Sequence, residues 1–152
     1  MREIKFRAWD KQITEMTEVM CLNLSTYSTD HIVKSKSHPN GYNQLFENLL
    51  LMQYTGLKDK NGKEIFEGDI IRDNKDGAIG LVIYTPPMFT VKEKDKLDSD
   101  EYWNLGAGKV YPDNWQLVDT EIIGNIYSNS ELLMVEDLIK NIKINNQEPK
   151  HE

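Results

Sequence analysis

A single cysteine, Cys21, in 152 residues excludes an internal disulfide framework and a cysteine-based zinc site. It fits a reducing cytosol, and the apolar context at Leu22 predicts a buried, inert thiol. No apolar run approaches the length of a membrane span, and Met1 leads directly into a charged strand without a secretory leader, so a cytoplasmic protein is expected. Excess positive charge is also missing. The net charge of −7 argues against broad non-specific nucleic-acid binding, which needs a basic surface. An acidic decoy of DNA is disfavoured as well, because the acids are interspersed with lysines in the ordinary solubility pattern. There is no phosphate-binding glycine loop, no Cys–His pairing and no Ser–His–Asp spacing with local context. No enzymatic activity and no cofactor is therefore expected. His31 and His38 lie in a polar stretch and His151 in the tail, with no spacing that marks metal ligands, so they read as surface residues.

What is present is turn and strand chemistry. A hydrophobic fraction of 39% and a charged fraction of 28% suit a soluble globular chain. Asp59-Lys60-Asn61-Gly62 between two short apolar segments predicts a β-hairpin. A two-residue loop at Asn61-Gly62 sets Lys60 opposite Lys63 and Asp59 opposite Glu64, two like-charge pairs. A three-residue loop, with Gly62 in the left-handed region as a bulge, sets Asp59 opposite Lys63, Lys58 opposite Glu64 and Leu57 opposite Ile65. Matched cross-strand pairs of roughly 0.2–1 kcal/mol each favour the bulged register. Glu67-Gly68-Asp69 is a second bend, and Ile70-Ile71 opens a further strand.

Elsewhere, Ile4, Phe6 and Ala8 alternate with Glu3, Lys5 and Arg7, which predicts a half-buried strand with Trp9 at the core edge. Residues 13–20 suit a returning strand. A short strand is expected near Tyr27 and Ile32-Val33, then a turn at Pro39-Asn40-Gly41. Residues 43–52 read as a short helix, with Leu45, Leu49 and Met52 on one face, or in part as a buried strand from Leu49 to Tyr54; periodicity does not separate the two. Asp73 to Gly77 is a turn needing a positive φ, residues 78–84 are the best strand of the chain, and Pro86-Pro87 stops it. Phe89-Thr90-Val91 pairs back, residues 92–101 form a charged loop, and residues 102–105, 115–118 and 122–127 are further strands. This set suits a small barrel whose closure protects its edges. Ser128 with Glu131 forms a capping box, followed by Leu132, Val135, Leu138, Ile139 and Ile142 at helical spacing to about Lys143.

The stretch from Gln53 to Ile71 resembles the signature of the YopX family, small proteins encoded by phages and prophages of Gram-positive bacteria. Residues 2–9 (Arg2-Glu3-Ile4-Lys5-Phe6-Arg7-Ala8-Trp9) with Asp10, and the run from Val118 to Leu133 containing Ile122-Ile123-Gly124-Asn125-Ile126-Tyr127, support the resemblance in the family's order. Residues 21–52 and 85–117 match poorly. The resemblance implies a mostly β fold with an SH3-like barrel, and carries no catalytic residues. It favours a helix first in 43–52 and a strand from about Leu51.

The expected organisation is mainly β (α+β): an N-terminal β-rich subdomain over residues 1–68, an SH3-like small barrel over 69–128, and a C-terminal helix with a polar tail over 129–152. The expected function is that of a phage or prophage accessory protein acting through protein–protein contact or self-association, with a host or phage protein as the other partner class. Trp103, Trp115, Leu138 and Ile142 are the candidate contact residues. The alternative is nucleic-acid binding by base stacking on the barrel aromatics. The 92–101 loop counters it with three lysines against five acids, and core packing is the favoured role for the aromatics.

Overall fold

The computed structural model describes residues 3–23, 31–105 and 119–133. Two antiparallel sheets hold them: one orders its strands β4-β3-β2-β1-β5-β6, the other β10-β9-β8-β7-β11. The strands are β1 Phe6–Asp10, β2 Glu15–Cys21, β3 His31–Lys34, β4 Tyr42–Gln44, β5 Leu49–Lys58, β6 Glu64–Phe66, β7 Asp69–Asp73, β8 Ile79–Thr85, β9 Met88–Glu93, β10 Trp103–Asn104 and β11 Thr120–Asn125. Helix among the described residues is confined to short 3₁₀ turns at Phe46–Asn48, Lys94–Lys96 and Ser130–Leu133, with the single residue Asp119 before β11. The chain divides into two compact units, Met1–Gly56 and Leu57–Glu152, so the central hairpin groups with the second.

In the first unit, β1 and β2 pair from Asp10↔Glu15 to Arg7↔Glu18, and β1 pairs β5 from Asp10↔Leu49 to Phe6↔Gln53. Ala8, Val33 and Leu49 are buried together, with Val19, Tyr42 and Leu51 packed on them. The Asp10 carboxylate closes the hairpin that β1 and β2 make. Its Oδ1 accepts the N–H groups of Gln12 and Ile13, while Oδ2 accepts the Tyr42 hydroxyl at 2.7 Å and the Gln44 amide at 2.6 Å. Four donors therefore satisfy a carboxylate with no solvent exposure.

The expected helix over 43–52 is replaced by β4, the three-residue turn at Phe46–Asn48 and a strand that starts at Leu49. The backbone from Leu49 onward is committed to the β1 ladder, and that pairing outweighs the helical spacing of its leucines. Cys21 is exposed rather than buried. A bulge between Val19 and Cys21 shifts the register and sets Cys21 opposite the exposed Ile32. Ile4 precedes the first strand and is 71% exposed, so the alternation serves the core only from Phe6 on. His31 is buried, its Nδ1 accepting the Asn23 N–H and its ring against Phe46, against the surface position expected.

In the second unit the hairpin has the bulged register. Asp59 N–H donates to Lys63 O at 2.8 Å, Gly62 N–H to Asp59 O at 2.9 Å, and Gly62 sits at φ +79°. The five-stranded sheet is apolar on both sides. Ile65, Ile71, Val82, Phe89, Val91 and Leu105 fill one cluster; Ile70, Leu81, Leu97, Ile126 and Leu133 fill the other. Successive residues of β7 and β8 alternate between the two clusters, which explains their near-continuous hydrophobic runs.

No closed barrel is found among the described residues: β10 and β11 lie at opposite edges of the sheet. The C-terminal helix is not supported either. Ser130–Leu133 is a 3₁₀ turn, and the turn that leads into it is held by Asn125, whose Oδ1 accepts the N–H groups of Tyr127 and Ser128, in the place where a Ser128 cap was expected. The remainder of that expected helix, from residue 134, lies outside the described residues. Among the described residues no helix is long and apolar enough to cross a membrane.

Candidate interaction surface

The β8–β9 hairpin follows directly from its sequence. β-branched and aromatic residues run to Thr85, Pro86 and Pro87 donate no backbone N–H and make the turn, and Met88 begins the return. The register runs from Gly80↔Glu93 through Val82↔Val91 and Tyr84↔Phe89 to Thr85↔Met88. The neighbouring strand β7 pairs only as far as Ile70↔Leu81, with Gly68 N–H then donating to Val82 O. From Ile83 onward the hairpin extends past that partner.

Solvent exposure is concentrated at this end. Tyr84 is 47% and Met88 44% exposed, and both prolines between them are exposed. The Tyr84 ring rests at 5.2 Å from the ring of Phe89, itself buried in the core, so the exposed aromatic is fixed from beneath. Tyr84 shares its face with Val82 and Phe89, whereas Met88 shares the opposite face with Thr85 and Ile83. The tip thus presents apolar side chains on both faces and no charge.

Of the residues singled out from the sequence, Trp103 is half-buried. It pairs with Val91 and packs on the cluster containing Ile71, Val82 and Leu105, with Lys96 Nζ 5.6 Å from its ring centroid. Part of the ring is thus committed to packing. Trp115, Leu138 and Ile142 lie outside the described residues. Nothing in the hydrophobic pattern marked Tyr84 and Met88 as exposed positions. The usable signal was the Pro86-Pro87 turn within a stretch free of charge; the end of β7 pairing at Leu81 leaves no mark in the sequence.

Several charged groups are engaged with neighbours. Glu121 lies between Lys60, at 2.8 Å, and Arg72, and these two bonds hold its carboxyl below the ordinary value. Lys92 Nζ is drawn onto the carbonyls of Leu97 and Ser99, and Lys96 pairs with Glu101 at 2.6 Å. In the first unit, Ser37 Oγ stands 2.9 Å from both Glu15 Oε2 and His38 Nδ1. The hydroxyls of Ser35 and Ser37 lower the Glu15 pKa, and Ser37 spends its one proton on that carboxylate. A nucleophile relay needs the acid on the imidazole instead, so this cluster shapes a turn. No group of side chains suited to a metal ion occurs among the described residues.

Comparison with solved structures finds the crystal structure of protein EF1440 from Enterococcus faecalis, at 30% sequence identity and a TM-score of 0.55, covering 88% of this chain and 99% of that one. No curated protein matches the chain. The model of the YopX protein family matches residues 5–134. The chain belongs to the YopX family.

Proposed function

We propose that this protein is a phage or prophage accessory protein of the host cytoplasm, acting through protein–protein contact, including contact with copies of itself. The observation that supports this reading is the exposed, uncharged hairpin tip at Tyr84–Met88, whose apolar side chains gain by being covered. The exposed first-unit residues Met20, Ile32 and Phe46 offer further apolar area for a second partner. The nucleic-acid reading gains no support from Trp103, which is packed, or from Lys92 and Lys96, which are bound to carbonyls and to Glu101. The test is affinity capture from host lysate, paired with light scattering of the purified full chain over a concentration series. Capture of a defined protein or a mass above 17.7 kDa supports the reading. A strict monomer that retains nothing refutes it.

A further inference from the structure

The inference deepens the proposed self-contact and rests on it: we propose that the β8–β9 hairpin tip is the surface through which two copies of this chain meet. Charge singles out this surface. Each chain carries −7, and the two units share it unequally: six basic against six acidic residues up to Gly56, twelve against nineteen from Leu57 on. Two such second units repel wherever their charged surfaces approach. Residues 77–91 are the longest run of the sequence without a charged side chain, fifteen residues in a chain that is 28% charged. Apart from Gly77 at its start, the exposed residues of that run are Tyr84, Pro86, Pro87 and Met88, all at the hairpin tip.

A two-fold contact uses the same patch on both copies, so the patch must complement itself. A charged patch of one sign fails that requirement, and an uncharged apolar tip meets it. A basic partner would instead be drawn to the acidic surface of the second unit and gain nothing at the tip. The tip is also preorganised. Its strands are paired to the last residue at Thr85↔Met88, and Tyr84 is backed by Phe89, so little side-chain freedom is lost on contact. Salt then has a distinctive effect. Screening relieves the repulsion between two chains of −7 and touches no attractive ion pair, so raising the salt concentration tightens the contact.

The experiment is sedimentation equilibrium of the full chain at low and high salt, with Tyr84→Asp, Met88→Asp and, as a control in the first unit, Phe46→Asp. The expected result is a monomer–dimer equilibrium that tightens with salt and weakens at least about tenfold in each tip variant, a loss of about 1.4 kcal/mol or more. Phe46→Asp leaves it unchanged. Because Tyr84 and Met88 are exposed, far-ultraviolet circular dichroism should match the wild type, with a modestly lower melting temperature in Tyr84→Asp, which gives up the ring contact with Phe89. A second readout is Met88→Cys in a Cys21→Ser background, which should oxidise to a covalent dimer while Phe46→Cys in that background does not. If the wild type dimerises and the tip variants dimerise equally well, the tip is refuted while self-contact stands. If ending the chain at Leu133 abolishes the dimer and the tip variants do not, the contact belongs to the C-terminal segment and the proposal is wrong. A monomer under every condition removes the self-contact and the tip together, leaving host-protein capture to decide the wider reading.

Discussion

The Asp59 carboxylate, at the tip of the central hairpin, accepts the backbone N–H of Ile122, sixty-three positions along the chain, at 3.1 Å. Its other oxygen accepts the N–H groups of Asn61 and Lys63, each at 2.9 Å. One buried side chain therefore shapes the hairpin and fastens strand β11 to it.

Asp59→Ala should be the most damaging change in the hairpin. It leaves three N–H donors to find water or go unpaired, at a cost of about 2–4 kcal/mol. Asp59→Asn keeps both the size and one acceptor oxygen, and should cost less. Urea unfolding of the two variants checks the order.

Gly62→Val isolates backbone strain. Nothing lies within 4 Å of a Cβ built on Gly62, so the β-carbon itself meets no neighbour, but φ +79° is hostile to a β-branched residue. A loss of about 1–2 kcal/mol is expected, with Gly62→Asn recovering part of it. An unchanged melting temperature in Gly62→Val would remove the bulged turn from the account.

Gly124→Ala should fail for the opposite reason. A Cβ there would fall 2.8 Å from both Cβ and Oδ1 of Asn129, in the turn after β11, whose N–H to Asn125 O bond fixes its position. A destabilisation of about 1–3 kcal/mol is expected, and Asn129→Gly should relieve it. The coupling in a double-mutant cycle is the measurement.

Asp10 predicts the acid behaviour of the first unit. Burial works to raise its pKa, but hydrogen bonds from Gln44, Tyr42, Gln12 and Ile13 together outweigh it and bring the group below its ordinary 3.8. A depressed carboxyl stabilises the fold fully above its unfolded pKa and loses that contribution as pH falls through the folded one. Stability should therefore decline from about pH 4 downward. Asp10→Asn should be less stable at neutral pH and show a shallower acid slope, read by melting temperature against pH.

These particulars show what a one-dimensional pattern carries. The hairpin register was legible because turn geometry and cross-strand charge agreed on Asp59 opposite Lys63. The β8 strand and its stop at Pro86 were legible for the same reason: local propensity and long-range pairing point the same way. Residues 45–52 were not, because their leucines satisfy both a 3.6 and a 2 period, and the β1 ladder decided. Cys21 was misplaced by a bulge, which no alternation pattern records. His31 was misplaced because a buried polar ring needs a partner, here Asn23 N–H, that only the folded chain supplies. The exposed tip was half legible: its lack of charge is in the sequence, while its extension past β7 depends on where that strand stops pairing.

Whether copies of the chain associate is the measurement that bears most directly on the account, and light scattering coupled to size exclusion on the full chain, at rising concentration and two salt levels, makes it. The expected result is a mass that climbs from 17.7 kDa toward twice that value, and climbs further in high salt. A mass fixed at that of the monomer throughout would contradict it.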